Sequence, residues 1–231
     1  MIAVISDIHG NYEALKEIFR DIRQYHPEMI ISLGDVAGYY LQINECVSLL
    51  RENNVLNIMG NHDYYLVSAA GCPRSNAANR FLVDQARIAT SETLAWLQQS
   101  RTCYVTDEIS MVHGGWNNPM DEYIYKVNAE YFDRYPQKYF FSGHTHVQAR
   151  IKLDNGKVFC NPGSVGQPRD GVATAAYALL DGEEIYLRRV EYDIDAIVRI
   201  MKNANYEEYY YENLYSGTRI GGKVDQITLE K

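Results

Sequence analysis

Two histidines stand one residue apart in the stretch Gly-His-Thr-His, directly after an apolar and aromatic run. Side chains alternate in an extended segment, so we expect the imidazoles of His144 and His146 to point to the same side. Such a pair is either a solvated strand end or one half of a cation-binding site. The other histidines and the acidic residues of the chain decide between these two interpretations.

Five of the six histidines lie beside Gly, Asp or Asn just after a predicted strand. In parallel sheets, ligands collect at the carboxyl ends of the strands, which is where these side chains are expected. The mixture of carboxylate, amide and imidazole suits Mn, Fe or Zn, and it exceeds the needs of one tetrahedral zinc. We therefore predict two divalent cations. The polar residues at the predicted strand ends are Asp7, His9, Asp35, Asn61, His62, Asp63, His113, His144 and His146.

A pair of cations needs a negative group between them. Two divalent ions in a shared site lie ~3.5–4 Å apart, and their repulsion at an effective dielectric of 20 is about 16 kcal/mol. A carboxylate with two oxygens can bridge them, and we assign this role to Asp35. A water between both ions becomes hydroxide near neutral pH and can attack phosphorus in line.

The composition limits the partners of such a site. The formal net charge of the 231-residue chain is −8, which argues against an extended nucleic-acid groove. A small phosphorylated substrate remains compatible, because metals supply positive charge. The N-terminal segment is apolar for only a few residues, and no run is long enough for a membrane span, so we expect a cytoplasmic protein without membrane contact. The four scattered cysteines predict reduced thiols.

The elements that position these residues can be predicted from hydrophobic periodicity. The first third alternates β-branched runs with helical patterns, which predicts βαβαβ and a parallel sheet, with Asn11 capping the first helix. Residues 76–99 predict one or two helices, the second capped by Ser91. Strands dominate after that, with an Asn-Gly hairpin before residue 157, until a helix at 194–203. We predict one domain over residues 1–231 with two sheets, the first rich in parallel pairs and the second in antiparallel pairs.

The C-terminal segment, residues 204–231, concentrates tyrosine and glutamate. Its simplest interpretation is an arm whose aromatic face packs on the body of the protein. The alternative is a subunit contact in a homo-oligomer, because tyrosine is enriched at interfaces. We favour the first.

The ordered motifs DIHGN, GDVAGY, GNHD, VHGG and GHTH resemble those of the calcineurin-like metallophosphoesterase superfamily, in its small prokaryotic phosphodiesterase-like branch. The resemblance implies an α/β fold, a two-sheet α/β/β/α sandwich, and a dinuclear centre. One metal would be held by Asp7, His9, Asp35 and His146, and the other by Asp35, Asn61, His113 and His144.

The same resemblance assigns roles near the substrate. His62 would act as general acid at the leaving-group oxygen or stabilise charge there. Asp63 would hold its ring and favour its protonated form, unless Asp63 simply caps a turn. In the loop NPGSVGQPRD, residues 161–170, backbone amides and Arg169 could approach a phosphate; the alternative is a rigid turn fixed by two prolines. The predicted substrate contacts are Arg169, Ser164 and Asn11.

One departure from the family separates its activities. Protein Ser/Thr phosphatases carry an arginine directly before the Gly-Asn of GNHD, and here that position holds Met59. This disfavours a phosphoprotein phosphatase. We predict a metal-dependent phosphoesterase that hydrolyses a phosphodiester or phosphomonoester of a small, nucleotide-like molecule. The rival hypothesis is a catalytically silent scaffold for protein contacts, which is disfavoured because no ligand position is lost.

Overall fold

The structure is a computed structural model that describes residues 1–73 and 75–230. Its strands are β1 (Ile2–Ile5), β2 (Met29–Ser32), β3 (Leu56–Asn57), β4 (Tyr104–Val105), β5 (Ile109–Val112), β6 (Lys126–Val127), β7 (Tyr139–Ser142), β8 (Ala149–Lys152), β9 (Val158–Asn161), β10 (Ala175–Asp181), β11 (Glu184–Val190) and β12 (Thr228–Leu229). Its α-helices are α1 (Tyr12–Ile22), α2 (Ile43–Glu52), α3 (Asn61–Ser68), α4 (Asn76–Ile88), α5 (Ser91–Gln98) and α6 (Ile194–Asn203).

The first sheet has the strand order β11-β10-β1-β2-β3. Strands β1, β2 and β3 are parallel, with Ile2 opposite Met29 and Ile31 opposite Leu56. Helices α1 and α2 are the crossovers between them, as the βαβαβ prediction requires. The carboxyl ends of these parallel strands therefore lie at one edge of the sheet.

The second sheet has the order β4-β5-β7-β9-β8, with β5, β7 and β9 parallel and the two outer strands antiparallel. The predicted division into a parallel-rich and an antiparallel-rich sheet is wrong, because both sheets mix the two kinds of pairing. The reason is that the hairpin β10–β11 does not extend the second sheet. It returns to the first sheet and pairs antiparallel with β1, on the side away from β2.

Two apolar layers hold the sheets in place. Between the sheets, Val4 and Ile31 of the first sheet meet Met111 and Phe141 of the second. Helix α1 covers the other face of the first sheet with Leu15, among others. Burial of each such side chain contributes about 1.5–3 kcal/mol. Two sheets flanked by helices confirm the predicted sandwich.

The helix starts follow the capping rules, with one correction. Asn11 caps α1, and its Oδ1 accepts from the Ala14 amide at 3.1 Å, as predicted. Residues 76–99 form two helices, α4 and α5. Ser91 does not cap α5; Thr90 does, because its Oγ1 accepts the Thr93 amide at 3.2 Å, while Ser91 is already helical.

The C-terminal segment lies against the body as far as it is described. Tyr206 and Tyr211 are buried in a cluster with α6 and Tyr40, and Phe81 stacks on Tyr206 at 5.0 Å between ring centroids. Further along, β12 pairs with β6. The packing follows the favoured interpretation, while Lys231 falls outside the described residues and the homo-oligomer stays a prediction.

All four cysteines are free thiols, as predicted. Of the helices within residues 1–73 and 75–230, none combines the length and the apolar character that crossing a membrane requires.

Candidate metal centre

The ligand-bearing loops share an unusual backbone conformation. Five candidate ligand residues after β1, β2 and β7 have φ between 53° and 64°, in the left-handed region that Asp and His enter more readily than most residues. Such conformations persist where the surrounding structure enforces them, and they concentrate at functional sites. They are Asp7, His9, Asp35, His144 and His146.

The alternation argument for His144 and His146 is therefore wrong. Strand β7 ends at Ser142, and both histidines lie in the loop beyond it in left-handed conformation. Their imidazoles reach two different clusters of donor atoms instead of sharing one strand face.

The first cluster contains Asp7, His9 and His146, all buried, with candidate ligand atoms within 4.8 Å of one another. The Nε2 atoms of His9 and His146 are 3.1 Å apart, and His146 Nε2 is 3.4 Å from Asp7 Oδ1. Asp7 is held from both sides, because its carboxylate accepts from the Ser6 hydroxyl at 2.7 Å and from the His144 amide at 3.0 Å.

The second cluster contains Asp35, His113 and His144, again buried and within 4.8 Å of one another. His113 Nε2 is 3.4 Å from Asp35 Oδ2 and 3.1 Å from His144 Nδ1. Asn61, the first residue of α3, adds its Oδ1 at 3.1 Å from the same His113 nitrogen.

Asp35 lies between the two clusters. Its Oδ2 is 3.8 Å from His9 Nε2 in the first cluster and 3.4 Å from His113 Nε2 in the second. Its Oδ1 accepts the backbone N–H of His62 at 2.8 Å, at the N-terminus of α3, where the helix dipole favours negative charge. This is the position that a bridging carboxylate requires.

The tautomers of three histidines follow from their outer contacts. Nδ1 of His9 is 2.7 Å from the Ala37 carbonyl, Nδ1 of His113 is 2.9 Å from the Leu33 carbonyl, and Nδ1 of His146 is 2.6 Å from the Gln167 carbonyl. Because a carbonyl oxygen only accepts, each Nδ1 carries the hydrogen, and each Nε2 is left as a candidate ligand. His144 Nε2 is buried without a partner in the described part of the chain.

The protonation states of three histidines and of Asp35 agree with ligand roles. Burial lowers the pKa of His9, His144 and His146 well below its usual value, so these rings are neutral. Burial alone would raise the pKa of Asp35, but the nearby His113 and other imidazoles outweigh it and lower that pKa. His113 responds in the opposite sense: Asp35 overcomes the effect of burial and raises its pKa to about 9.

These residues fit divalent cations. In the first triad, the neutral Nε2 atoms of His9 and His146 face each other and the Asp7 carboxylate across distances of 3.1–4.0 Å, an arrangement that is repulsive unless a positive charge lies between them. Without a cation, a proton on His113 partly fills this role in the second triad. The residues thus form two candidate metal-binding triads, joined by Asp35.

His62 and Asp63 differ from their predicted relationship. The His62 ring lies 5.1 Å from that of His9, and burial lowers its pKa. The prediction that Asp63 holds the His62 ring is wrong, because His62 Nδ1 has no partner among the described residues and Asp63 accepts the Ala37 and Gly60 amides at 2.9 and 3.2 Å. Asp63 is the third residue of α3, and its carboxylate accepts the backbone N–H of the N-cap residue, Gly60; burial, followed by the charge of Asp35, raises its pKa to about 7.

Two of the predicted substrate contacts are structural. The Ser164 hydroxyl is fully buried, donates to the Asp7 carbonyl at 2.7 Å and accepts the Gln167 amide at 2.7 Å. Asn11 is also fully buried, and its Nδ2 donates to the Gly166 carbonyl at 3.0 Å while its Oδ1 caps α1. Neither polar group faces a substrate, so these predictions are wrong.

Arg169 does lie beside the metal centre. Its Nη2 donates to the Tyr39 hydroxyl at 3.1 Å, and the Tyr39 ring meets the His9 ring edge-on at 4.7 Å. The next residue, Tyr40, is fully buried in the core, so the two tyrosines of the Gly-Tyr-Tyr stretch Gly38–Tyr40, called the GYY loop below, divide between site and packing.

Sequence reasoning missed two residues of this site. The Tyr123 ring stacks on His144 at 3.8 Å. Gln85 of α4 is buried and holds the GYY loop by two hydrogen bonds. Its Oε1 accepts the Gly38 amide at 2.7 Å, and its Nε2 donates to the Gly38 carbonyl at 3.2 Å. A glutamine in a helix gives no signal of this, since its partners are backbone atoms distant in sequence.

Comparison with known proteins places this geometry in a family. A model of the calcineurin-like phosphoesterase superfamily domain matches residues 1–184. An uncharacterised protein of Methanocaldococcus jannaschii is 34% identical over 241 residues, which cover 94% of this chain and 98% of that protein.

Solved structures agree. A metallophosphoesterase from Sphaerobacter thermophilus matches with a TM-score of 0.80 at 29% identity, over 94% of this chain and 99% of that chain. A hypothetical protein from Pyrococcus horikoshii matches with a TM-score of 0.80 and the same coverage at 22% identity, a likeness of fold.

Proposed function

Because the chain belongs to the calcineurin-like phosphoesterase superfamily, we propose that it hydrolyses a phosphodiester or phosphomonoester of a small, nucleotide-like molecule with two divalent cations, Mn, Fe or Zn. One observation carries the proposal: Asp35 lies within 3.8 Å of a histidine nitrogen of either triad. A single structural ion would not need a second, equally buried set of ligands on the other side of that carboxylate.

The residues divide between the two cations as the triads do. One cation would be held by Asp7, His9 and His146, the other by Asn61, His113 and His144, with Asp35 between them. When bound, the cations would supply positive charge to the phosphate and acidify the attacking water.

The chain itself supplies a candidate proton donor. Of the five histidines gathered at the site, His62 belongs to neither triad. Its ring centroid lies 5.1 Å from that of His9 and 5.3 Å from that of Tyr39. We assign it to the leaving-group oxygen, either as a proton donor or, in the neutral form that its lowered pKa favours, as a hydrogen-bond donor that stabilises charge there. Its backbone N–H meanwhile holds Asp35, so one residue serves both the cation site and the leaving group.

The scaffold hypothesis finds no support in the site. A protein kept only for its surface would not need buried, carbonyl-oriented histidines converging in its interior. Phosphoprotein phosphatase activity is disfavoured by Met59, which occupies the position of the phosphate-binding arginine of those enzymes.

The test is a substrate screen. Chromogenic phosphomonoesters and phosphodiesters, nucleotides and a phosphopeptide would be assayed with Mn²⁺, Fe²⁺ or Zn²⁺, beside elemental analysis of the protein. We expect metal-dependent turnover of a small ester and little of the phosphopeptide. Absence of turnover in a preparation that contains two metals per chain would refute the proposal and favour the scaffold.

A further inference from the structure

A polar pocket of about 220 Å³ opens beside the metal centre. Five parts of the chain contribute to its lining: the GYY loop, the start of α4, the segment around Tyr123, the loop before residue 170 and the C-terminal segment. The lining side chains that bear on ligand binding are Tyr39, Tyr123, Gln167, Arg169, Tyr209 and Arg219. The last two lie beyond residue 184, where the family match ends.

The pocket borders both triads. Tyr39 touches the His9 ring of the first triad edge-on at 4.7 Å. Tyr123 stacks on the His144 ring of the second triad at 3.8 Å. A substrate held by cations in the two triads would therefore extend its remaining groups towards this pocket.

The charge of the pocket is positive. Arg169 is only 5% exposed, and Gln167 Oε1 accepts from its Nη2 at 2.8 Å, but in the described part of the chain no carboxylate forms an ion pair with it. A buried guanidinium without a counter-ion is costly. Arg219 does pair with Asp225, and Asp225 is almost entirely buried behind it. Among the residues that the structure describes, none that lines the pocket is acidic.

We propose that this pocket binds a second phosphate group of the substrate, through the guanidinium groups of Arg169 and Arg219. The preferred substrates then carry two phosphate groups, one at the cations and one in the pocket. This inference rests on the proposed function, and it makes the C-terminal segment a determinant of substrate choice.

Two features favour a phosphate over an apolar or aromatic group. Guanidinium forks match phosphate oxygens in a bidentate manner, and the Tyr39 hydroxyl beside Arg169 adds a polar contact. The Tyr123 ring already has His144 on one side and Tyr125 stacked at 5.6 Å, so it offers little surface for a base.

Binding measurements test the pocket without requiring turnover. Protein loaded with Mn²⁺ and freed of unbound metal would be titrated calorimetrically with inorganic phosphate and with two non-hydrolysable diphosphonates, linked by methylene and by propylene. We expect one diphosphonate to bind at least roughly tenfold more tightly than phosphate, since a charge-assisted hydrogen bond is worth about that factor. Arg169→Gln and Arg219→Gln should each reduce this ratio about tenfold.

Two further variants sharpen the result. Arg199 is an exposed arginine of α6 that forms an ion pair with Asp193 at 3.5 Å. Arg199→Gln should therefore leave the ratio of diphosphonate to phosphate affinity unchanged. Ala77 also lines the pocket, on α4, and Ala77→Leu adds bulk there while leaving both Arg219 and Asp225 in the sequence, so it should lower the ratio even if Arg219→Gln disturbs the C-terminal segment.

The outcomes separate the two proposals. Equal affinity for phosphate and both diphosphonates would refute phosphate binding in the pocket. So would a ratio of diphosphonate to phosphate affinity that neither Arg169→Gln nor Ala77→Leu changes. If the affinity ratio depends on the arginines but the protein hydrolyses no ester, phosphate binding in the pocket is supported and the proposed hydrolytic function is refuted.

Discussion

The Nε2 atoms of His9 and His146 face each other at 3.1 Å, although 137 residues separate them in the chain. Each ring directs its Nδ1 to a backbone carbonyl, so neither can turn its lone pair away. The fold thus brings two neutral imidazoles together in a way that only a shared positive charge makes favourable. The same logic governs the second triad, and Asp35 makes the two interdependent.

Replacing Asp35 by Asn should therefore remove at least one metal per chain. The amide keeps the shape of the side chain but lacks the negative charge that offsets the repulsion of neighbouring cations. Elemental analysis after gel filtration measures this. Asp181→Asn, an exposed change at the end of β10, is the matched control. A variant of Asp35 that retains two metals would refute its bridging position.

His62→Ala should keep the metal content and lower kcat by ~10²–10⁴-fold, the range for general acid–base catalysis. His26→Ala is the control, because His26 is an exposed residue at the end of a 3₁₀ helix without a role in the site. Elemental analysis and kcat would be measured on the same samples. Unchanged kcat in the His62 variant would take this residue out of the mechanism.

Gly38→Ala tests how closely the GYY loop packs on the site. A Cβ at Gly38 would lie 2.5 Å from His62 Nδ1 and 3.0 Å from His9 Nδ1, with φ at 95°. Gly156 has a comparable φ of 81° but nothing within 4 Å of its Cβ position. Gly156→Ala should cost only the backbone strain, about 1 kcal/mol of unfolding free energy.

Gly38→Ala should cost more than that and should also lower kcat, because the His62 and His9 rings must move. Urea denaturation and kcat distinguish the two variants. Equal losses of stability, with kcat unaffected, would mean that the loop yields freely and does not fix the His62 ring.

The sequence predicted the elements and the convergence of the polar residues more successfully than the contacts around them. Strand β1 and the Asn11-capped α1 follow from local periodicity, and the polar residues at strand ends converge because parallel strands end at one edge. The roles of Asp63 and Ser164 failed for a common reason. Both satisfy backbone groups in left-handed loops, and a sequence pattern does not show which amides such loops leave unpaired.

Ser164→Ala should lower the free energy of unfolding by about 1–3 kcal/mol, because the Asp7 carbonyl and the Gln167 amide both lose a buried partner. Ser48→Ala, on the exposed face of α2, should stay within about 0.5 kcal/mol of the parent. Denaturant unfolding of the metal-free proteins measures both. A raised KM with unchanged stability in the Ser164 variant would instead support the prediction that Ser164 contacts the substrate.

Removal of the metals should destabilise the whole protein. The ligands come from loops after β1, β2, β5 and β7 and from α3, so cations in the triads tie both sheets together. Ligand at 100 times its Kd adds about 2.7 kcal/mol, which corresponds to a fall in Tm of about 5–10 °C on chelation for a chain of this size. Calorimetry with and without chelator, followed by addition of Mn²⁺, gives the reversible shift. Asp35→Asn should show a smaller fall in Tm on chelation than the parent. An identical fall in both proteins would mean that the stabilising ion does not bind at Asp35.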